Sequence, residues 1–242
     1  YSPIFLLYPI AEIEVLARKE IFIFIAFIIF LNISSLKISN NYLYIYTFFI
    51  FPIICLIWEP FLFFFPFIIF IFLLRKNNNE KLLKKSFKIL LSLSSSLITI
   101  YFIITNLLTP EEHELMANSL KENFNEVCYM SCALLKSKSS IKSQFDSVFM
   151  SISPVVLVRY LFILLIGFLP LVIMLNNSNL INNKIFFINK LSLPIIYVFL
   201  LVPCIILFAS GTDWGRWVNI VYTFSILTYF YLFKNNYLKL NA

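Results

Sequence analysis

Glycine and charge are scarce in this chain of 242 residues, which contains only three glycines and 13% charged residues. An ordinary soluble domain carries about 25% charged and roughly 45–50% apolar residues, whereas 61% of this chain is hydrophobic. A soluble core of this size cannot bury such an excess. The sequence also lacks a Gly-rich phosphate-binding loop, a Ser nucleophile elbow and a metal-ligand cluster, so the common soluble-enzyme chemistries have no support.

Histidine and cysteine are also few, with one and four copies. Cys55 and Cys204 lie in apolar blocks, where a thiol behaves as a small hydrophobe. Cys128 and Cys132 form the only plausible pair, but a spacing of four in a predicted helix is awkward for a strain-free disulfide. Zinc would need further ligands that a single histidine cannot supply. We therefore expect structural cysteines, no metal and no cofactor.

Long hydrophobic runs dominate what is present, and several approach the roughly 20 residues that a helix needs to cross a bilayer. They are continuous instead of alternating, which favours helices over a barrel. The sequence predicts an all-α, polytopic transmembrane helical bundle. Its spans, about seven, are placed near 20–36, 42–58, 60–74, 87–108, 152–175, 191–209 and 217–233. The short third block carries Pro60 and Pro66, so we expect it to be tilted, kinked or partly re-entrant.

No repeat or Gly/Ser linker divides the chain, so we treat residues 1–242 as a single transmembrane domain. The chain opens at Tyr1 with YSPIFLLYPI, which lacks the basic n-region of a signal peptide. This opening is consistent with a fragment that lacks earlier spans.

The densest basic cluster, RKNNNEKLLKKSFK at 75–88, orients the bundle, because basic loops stay in the cytoplasm. Counting crossings from it places residues 109–150, GTDWGRW, Trp58-Glu59-Pro60 and the N-terminal AEIEVLARKE on the extracytoplasmic side. A different crossing count for the third block would reverse the N-terminal placement. The net charge of +7 is explained by such orientation signals, so we expect membrane lipids and not nucleic acid as partners.

The extracytoplasmic segment near 109–150 begins with a helix signal, in which Thr109 caps, Pro110 takes the first position and Glu112 completes a capping box. Apolar residues then recur at helical spacing at Met116, Leu120, Phe124, Val127, Ser131 and Leu134. A second amphipathic stretch follows at Ile141, Phe145, Val148 and Phe149. The resulting hairpin either roofs a cavity or is a plain connector lying on the membrane surface.

The string GTDWGRWVN, residues 211–219, is the most specific local feature of the sequence. A structural interpretation puts Trp214 and Trp217 in an interfacial aromatic belt, with Asp213 capping the last helix and pairing with Arg216. A functional interpretation adds that the fork-shaped guanidinium of Arg216 suits the phosphates of a lipid-linked substrate. We favour the functional interpretation.

Two further charged groups border the spans. Glu59, beside Trp58 and phenylalanines, either has a raised pKa and acts as a general base, or holds an arginine, or marks a turn. Arg18 and Lys19 precede the first span together with Glu20 in a charge run that is solvated by default.

Arg159 falls several residues into a span, where it either snorkels outward or faces a polar cavity. His113 sits among glutamates in the first turn of the surface helix. We expect it to be exposed and keep it as a catalytic candidate.

The RKE of residues 18–20, the WEPFLFFFP of 58–66 and the DWGRW of 213–217 together resemble the pattern of multi-pass proteins of bacterial surface-polysaccharide synthesis, the O-antigen and exopolysaccharide polymerase group. The resemblance implies a glycosyltransferase-type membrane enzyme that joins sugars carried on polyprenyl pyrophosphate at the outer face of the inner membrane. About seven spans is fewer than the larger polymerases have, which implies truncation or a smaller relative.

The resemblance also implies roles for single residues. Arg216, and less securely Arg18, would grip the acidic lipid carrier, with Asp213 or Glu59 as base or positioning group. Other membrane proteins of polysaccharide assembly would be partners. The competing hypotheses are a transporter or flippase, with Glu59, Arg159 and Asp213 lining a path, and a non-catalytic assembly subunit.

Overall fold

The computed structural model describes residues 20–36, 39–75, 82–106, 108–128, 145–146, 148–150, 152–181, 191–211 and 214–241. Its helices, in chain order, are α1 Glu20–Ser35, α2 Asn40–Ile57, α3 Phe65–Leu74, α4 Leu82–Thr105, α5 Pro110–Phe124, α6 Pro154–Asn176, α7 Leu193–Leu201, α8 Ile205–Ser210 and α9 Trp214–Lys234. A 3₁₀ turn, Glu59–Phe64, leads into α3, and another, Val202–Cys204, joins α7 to α8. Two short strands, β1 Ser178–Leu180 and β2 Leu238–Leu240, pair antiparallel.

The all-α prediction is confirmed, and each predicted span coincides with a helical segment. Within the described ranges, four helices are long and apolar enough to cross a membrane: α2, α4, α6 and the continuous stretch Leu193–Ser210. The apolar stretches Glu20–Ser35 and Glu59–Leu74 are shorter. The third block is not one straight helix, because Pro60 starts the 3₁₀ turn and Pro66 lies in the first turn of α3, where proline is tolerated.

Helix α9 runs through the middle of the bundle and buries most of its residues. This position explains its polar content, since a helix covered by protein does not need to be apolar for lipid. The Thr223 hydroxyl donates to the Asn219 carbonyl and the Ser225 hydroxyl to the Val221 carbonyl, both at 2.8 Å. These two buried hydroxyls are thus satisfied inside the helix itself.

The core around α9 is aromatic. The Phe224 ring stacks on Phe27 of α1 with centroids 4.3 Å apart, and its centroid is 4.4 Å from that of Phe64 in the 3₁₀ turn. Phe61 and Phe67 complete the cluster at 6.3 and 5.9 Å. Offset and tilted ring pairs of this kind add to the burial of apolar area, so they fasten α1, α3 and α9 together.

At one end of the bundle, which we call the basic end, cationic side chains cap helix C-termini. Arg75 Nη2 donates to the Leu36 carbonyl at 2.9 Å, and Lys85 Nζ donates to the Leu73 and Arg75 carbonyls at 3.1 and 2.7 Å. Such cations favour the negative end of the helix dipole. The β1–β2 pair ties the C-terminal ends of α6 and α9 at this same end.

The opposite end, which we call the tryptophan end, carries Trp58, Trp214 and Trp217. Here α2, α4 and α8 finish and α1, α6 and α9 begin. Cys204 Sγ lies 3.6 Å from the Phe63 carbonyl, which joins the two 3₁₀ turns. The predicted structural role of Cys55 and Cys204 is confirmed, since both are free and buried.

Helix α5 is shorter than predicted. Its capping box is present as expected, with Thr109 Oγ1 accepting from the Glu112 N–H and Glu112 Oε2 accepting from the Thr109 N–H. It ends at Phe124, because Asn125 adopts a left-handed conformation with φ of 53°. The prediction that the helical face continues through Val127 is therefore wrong. Residues 145–146 and 148–150 are helical, while Ser131, Leu134 and Ile141 lie outside the described residues.

Candidate functional site

The first turn of α9 is held by its own tryptophan. The Trp214 indole N–H donates to the carbonyls of Phe208 and Gly211, both at 2.9 Å. The Trp214 ring also meets the Tyr160 ring of α6 edge-on, with centroids 5.1 Å apart. One side chain thus joins the end of α8, the start of α9 and the start of α6.

Gly211 is needed where α8 ends because of Trp217. A Cβ atom at Gly211 would overlap the Trp217 ring, whereas one at Gly215 would meet only the Tyr160 hydroxyl at an ordinary 3.7 Å. The Trp217 ring is buried and stands perpendicular to Phe208, with centroids 5.9 Å apart. Trp217 is therefore a packing residue of this end, buried instead of standing in an interfacial aromatic belt.

Arg216 forms an ion pair with Glu20 of α1, with Nη1 and Oε1 3.3 Å apart. The Glu20 side chain is 8% exposed and the Arg216 side chain 22% exposed. The charge run around Glu20 was expected to be solvated, which is wrong for Glu20, because α9 covers it. The partners expected for Arg216 were Asp213 and Glu59, and the ion pair with Glu20 was not expected. Asp213 lies outside the described residues, so its pairing with Arg216 stays a prediction.

Glu20 also begins α1, where a carboxylate is favoured by the helix dipole. Neither of its oxygens accepts a hydrogen bond from the residues that the structure describes. The ion pair with Arg216 is therefore its main electrostatic contact. This arrangement fixes the guanidinium at the tryptophan end.

A large apolar groove runs between α6, the α7–α8 stretch and α9, with a volume of about 680 Å³. Its walls present leucines and valines along most of its length, and Trp214, Tyr160 and Phe208 stand at its end. From α6 alone the lining runs from Leu157 to Val172, which spans roughly 22 Å at 1.5 Å per residue. The groove is long enough to follow a lipid chain through most of the hydrocarbon layer.

The groove and the ion pair lie on two sides of the first turn of α9. Trp214, Val218 and Val221 line the groove and recur at helical spacing on one face of α9. Arg216, two residues after Trp214, lies on the other side of the same turn and faces α1. The structure thus brings Trp214, Arg216 and Trp217 together and adds Glu20, which sequence reasoning had left out of the site.

Glu59 lies at the start of the first 3₁₀ turn and is exposed. Trp58 turns inward instead, with 3% of its surface exposed, and packs against Phe64. The carboxylate is therefore not enclosed by aromatic rings as one interpretation required. It stays a boundary group at the tryptophan end.

Arg159 is exposed on α6. Leu157, Leu161 and Leu164 of this helix line the groove, and Arg159 lies about 180° away from them around the helix. Of the two alternatives, a polar cavity and an outward-reaching side chain, this position fits the second.

His113 is buried, with 7% of its surface exposed, so its expected exposure is wrong. Its Nε2 lies 3.7 Å from Cys128 Sγ, and Cys128 is disulfide-bonded. The objection to a disulfide assumed a continuous helix, which ends at Phe124. The prediction that Cys128 is a free structural thiol is therefore wrong, because Cys128 is disulfide-bonded. Cys132 lies outside the described residues. His113 belongs to the α5 segment and not to the Glu20–Arg216 pair.

Arg18 and Lys19 also lie outside the described residues. Among the residues that are described, no group of three or more His, Cys, Asp or Glu side chains could hold a metal ion. Comparison with protein-family models, with curated proteins and with solved structures finds no match. The resemblance to polysaccharide polymerases therefore stays a prediction.

Sequence reasoning missed Glu20 and the groove. A signal for Glu20 existed, since it is an acid at the start of one apolar block while Arg216 lies near the start of another at the same predicted face. The groove left no comparable signal, because its residues are ordinary leucines and valines on three separate helices.

Proposed function

We propose that the protein is a membrane glycan polymerase or glycosyltransferase that acts on polyprenyl-pyrophosphate-linked sugars at the outer face of the bacterial inner membrane. The observation that carries the proposal is the long apolar groove that ends beside Trp214, on the helical turn that bears Arg216. A polyprenyl pyrophosphate has the matching shape, a long apolar chain with a doubly anionic head.

The groove would take the polyprenyl chain. Its volume of about 680 Å³ lies within the range of roughly 300–1,000 Å³ that ligand sites occupy. Its walls are aliphatic and aromatic, so they give affinity through burial of apolar area. A chain longer than the groove would continue into the surrounding lipid.

The pyrophosphate would lie at the tryptophan end near Arg216. A guanidinium is always charged and binds phosphate oxygens in pairs. Glu20 holds this guanidinium in place from α1, so Glu20 is a positioning residue. The N-terminus of α9 adds a favourable dipole for an anion.

The reaction would be transfer of a glycosyl group. An acceptor hydroxyl gives its proton to a carboxylate and forms a bond to the anomeric carbon, while the bond from that carbon to the pyrophosphate oxygen breaks. The departing pyrophosphate takes the electron pair and is stabilised by Arg216. Glu59, exposed at this end, and Asp213 are the candidate bases.

The alternative of a transporter or flippase has less support. Glu59 and Arg159 are exposed on the described bundle, whereas a transport path would need them to face its interior. The aromatic cluster around Phe224 fills the space between α1, α3 and α9. A non-catalytic assembly subunit would share the groove and differ only in lacking turnover.

Two observations support the proposed orientation in the membrane. The concentration of lysine and arginine residues at the basic end favours a cytoplasmic position for that end. The disulfide at Cys128 favours an oxidising compartment for the segment that follows α4 at the tryptophan end. The proposed site would then face outward, where other polysaccharide-assembly membrane proteins would be its partners.

The test is the chain length of surface polysaccharide in cells that carry single variants. We expect Arg216→Ala to give short chains and Glu20→Gln to give intermediate ones, because Gln cannot hold the guanidinium by charge. Glu59→Ala and Asp213→Ala separate the two candidate bases. Lys239→Ala, an exposed cation at the basic end, is the matched control.

Protein abundance in the membrane must be equal for these comparisons. Wild-type chain lengths in Arg216→Ala at equal abundance would refute the proposal. Normal polysaccharide combined with an uptake defect would favour the transporter instead.

A further inference from the structure

A second groove, of about 530 Å³, lies between α2 and α4 near the basic end. It shares no lining residue with the groove of α6 and α9. Its walls include both an apolar part and a cationic part. A ligand in this second groove would be independent of the proposed glycosyl transfer.

The cationic part is Lys88 of α4, which lines the groove together with Asn41 and Tyr44. The Lys88 ammonium lies 5.9 Å from the centre of the Tyr44 ring, a cation–π distance. The Tyr44 ring is itself stacked on Phe72, with centroids 4.9 Å apart and planes 7° from parallel. The ammonium is thus placed against a rigid wall instead of moving freely in solvent.

The apolar part lies deeper along the same two helices. Ile45, Phe48 and Leu91 line it and expose 54%, 38% and 54% of their surface. Phe48 follows Tyr44 by four residues and Leu91 follows Lys88 by three, about one helical turn, while Ile45 is adjacent to Tyr44. The groove therefore passes from polar to apolar over roughly 6 Å. This order matches a lipid whose head lies at the membrane boundary and whose chain points inward.

The described residues that border this groove carry charge of one sign. The bordering sequences LKISNNYLYIYTFF, 36–49, and LLKKSFKILLSLSS, 82–95, contain lysines and no acidic residue. Lys85 is occupied with the carbonyls of Leu73 and Arg75, while Lys84 is exposed one turn before Lys88. The site therefore favours a negative head group over a zwitterionic one, whose cation would be repelled.

We propose that this groove binds one anionic phospholipid, with its phosphate beside Lys88 and Asn41 and one acyl chain along Ile45, Phe48 and Leu91. The lipid would bridge α2 and α4 at the basic end. Its recognition depends on head-group charge and on the acyl chain together.

The test is native mass spectrometry of the purified full chain in detergent, with added dioleoylphosphatidylglycerol or dioleoylphosphatidylcholine. We expect the anionic lipid to bind about fivefold more tightly, the difference expected from one basic residue near an anionic lipid. Lys88→Gln should abolish this preference. Lys239→Gln, which removes an exposed lysine of β2 at the same end, should leave it unchanged.

Two further variants test the acyl part. Ile45→Trp fills the groove and should weaken the phosphatidylglycerol adduct, whereas Ile53→Trp, an exposed position of α2 outside the lining, should not. The proposal would be overturned if the two lipids bound equally, or if Lys88→Gln and Lys239→Gln lost the same amount of phosphatidylglycerol binding. Full competition by glycerol phosphate, which has no acyl chain, would also overturn it.

Discussion

The ion pair between Glu20 and Arg216 joins two helices that are far apart in the chain. A buried ion pair adds little net stability, because desolvation offsets most of the attraction. The ion pair instead positions the guanidinium, because the Arg216 side chain, which is 22% exposed, is held in one direction by Glu20 of α1. The pair thus supplies a fixed cation at the tryptophan end.

Two glycines of one motif should respond differently to the same substitution. Gly211→Ala should lower the free energy of unfolding by about 1–3 kcal/mol, the usual cost of overpacking, because the new methyl group overlaps the Trp217 ring. Gly215→Ala, at a helical position where the new methyl group makes only an ordinary contact with the Tyr160 hydroxyl, should be neutral or stabilising by up to about 1 kcal/mol. Thermal unfolding in detergent measures both.

Gly215→Ala is the matched control for that comparison, as it adds the same methyl group four residues away. Equal destabilisation of the two variants would show that Trp217 does not lie against Gly211.

Sequence reasoning at the residue scale singled out Trp214 and Arg216 but did not predict the contact between Arg216 and Glu20. Trp214 and Arg216 were recognised because the chain has only three tryptophans and few charged residues. The partner Glu20 was not assigned, because 195 positions separate it from Arg216 and only the packing of α1 on α9 decides the pairing. His113 and Arg159 were placed by local pattern, which says nothing about the side that a neighbour covers.

Helix positions, in contrast, follow closely from the sequence. The predicted span 152–175 corresponds to α6, Pro154–Asn176, because a hydrophobic run in lipid must satisfy its backbone internally. The end of α5 was missed since it depends on one backbone conformation, the left-handed Asn125. The β1–β2 pair was missed because three-residue strands carry no periodic signal.

Helix α5 should show a pH-dependent first turn. The Thr109 backbone N–H holds the pKa of Glu112 below its ordinary value, which is about 4.3. Because the pKa of Glu112 is lower in the folded than in the unfolded state, its ionised carboxylate stabilises the helix at pH values above the unfolded pKa. The cap should therefore weaken as the pH falls below about 4.3 and through the folded-state pKa. Hydrogen exchange of the first-turn amides, corrected for intrinsic rates, measures the loss.

Glu112→Gln should remove this pH dependence, and Thr109→Ala should speed exchange about fivefold at neutral pH, the effect of a typical lost N-cap. First-turn protection that stays constant in the unaltered chain down to pH 2 would contradict the assignment.

The whole molecule has two chemically distinct ends. The basic end collects lysines, capped helix C-termini and the β1–β2 pair, and the tryptophan end collects Trp58, Trp214, Trp217 and the ion pair. Large exposed hydrophobic side chains occupy the helices between them. This layering is the pattern expected of a protein embedded in lipid, with aromatic residues at the boundary.

Single cysteines should report opposite sides for α5 and β1. Glu122 of α5 precedes α6 in the chain and Asn179 of β1 follows it, and both side chains are exposed. We expect an impermeant maleimide to label Glu122→Cys in spheroplasts and Asn179→Cys only after permeabilisation. The unaltered chain is the control, in which Cys55 and Cys204 are buried. Labelling of both variants from one side would show that α6 does not cross the membrane.

The most direct test of the account is the affinity of the purified chain for a polyprenyl pyrophosphate when the groove is filled. Leu164→Trp places an indole in the groove. Ile166, which is 61% exposed, lies on the opposite face of α6, so Ile166→Trp places the indole outside the groove. The account predicts at least about a tenfold loss, or ~1.4 kcal/mol, for Leu164→Trp and unchanged affinity for Ile166→Trp. Equal affinities of the two variants and the unaltered chain would contradict it.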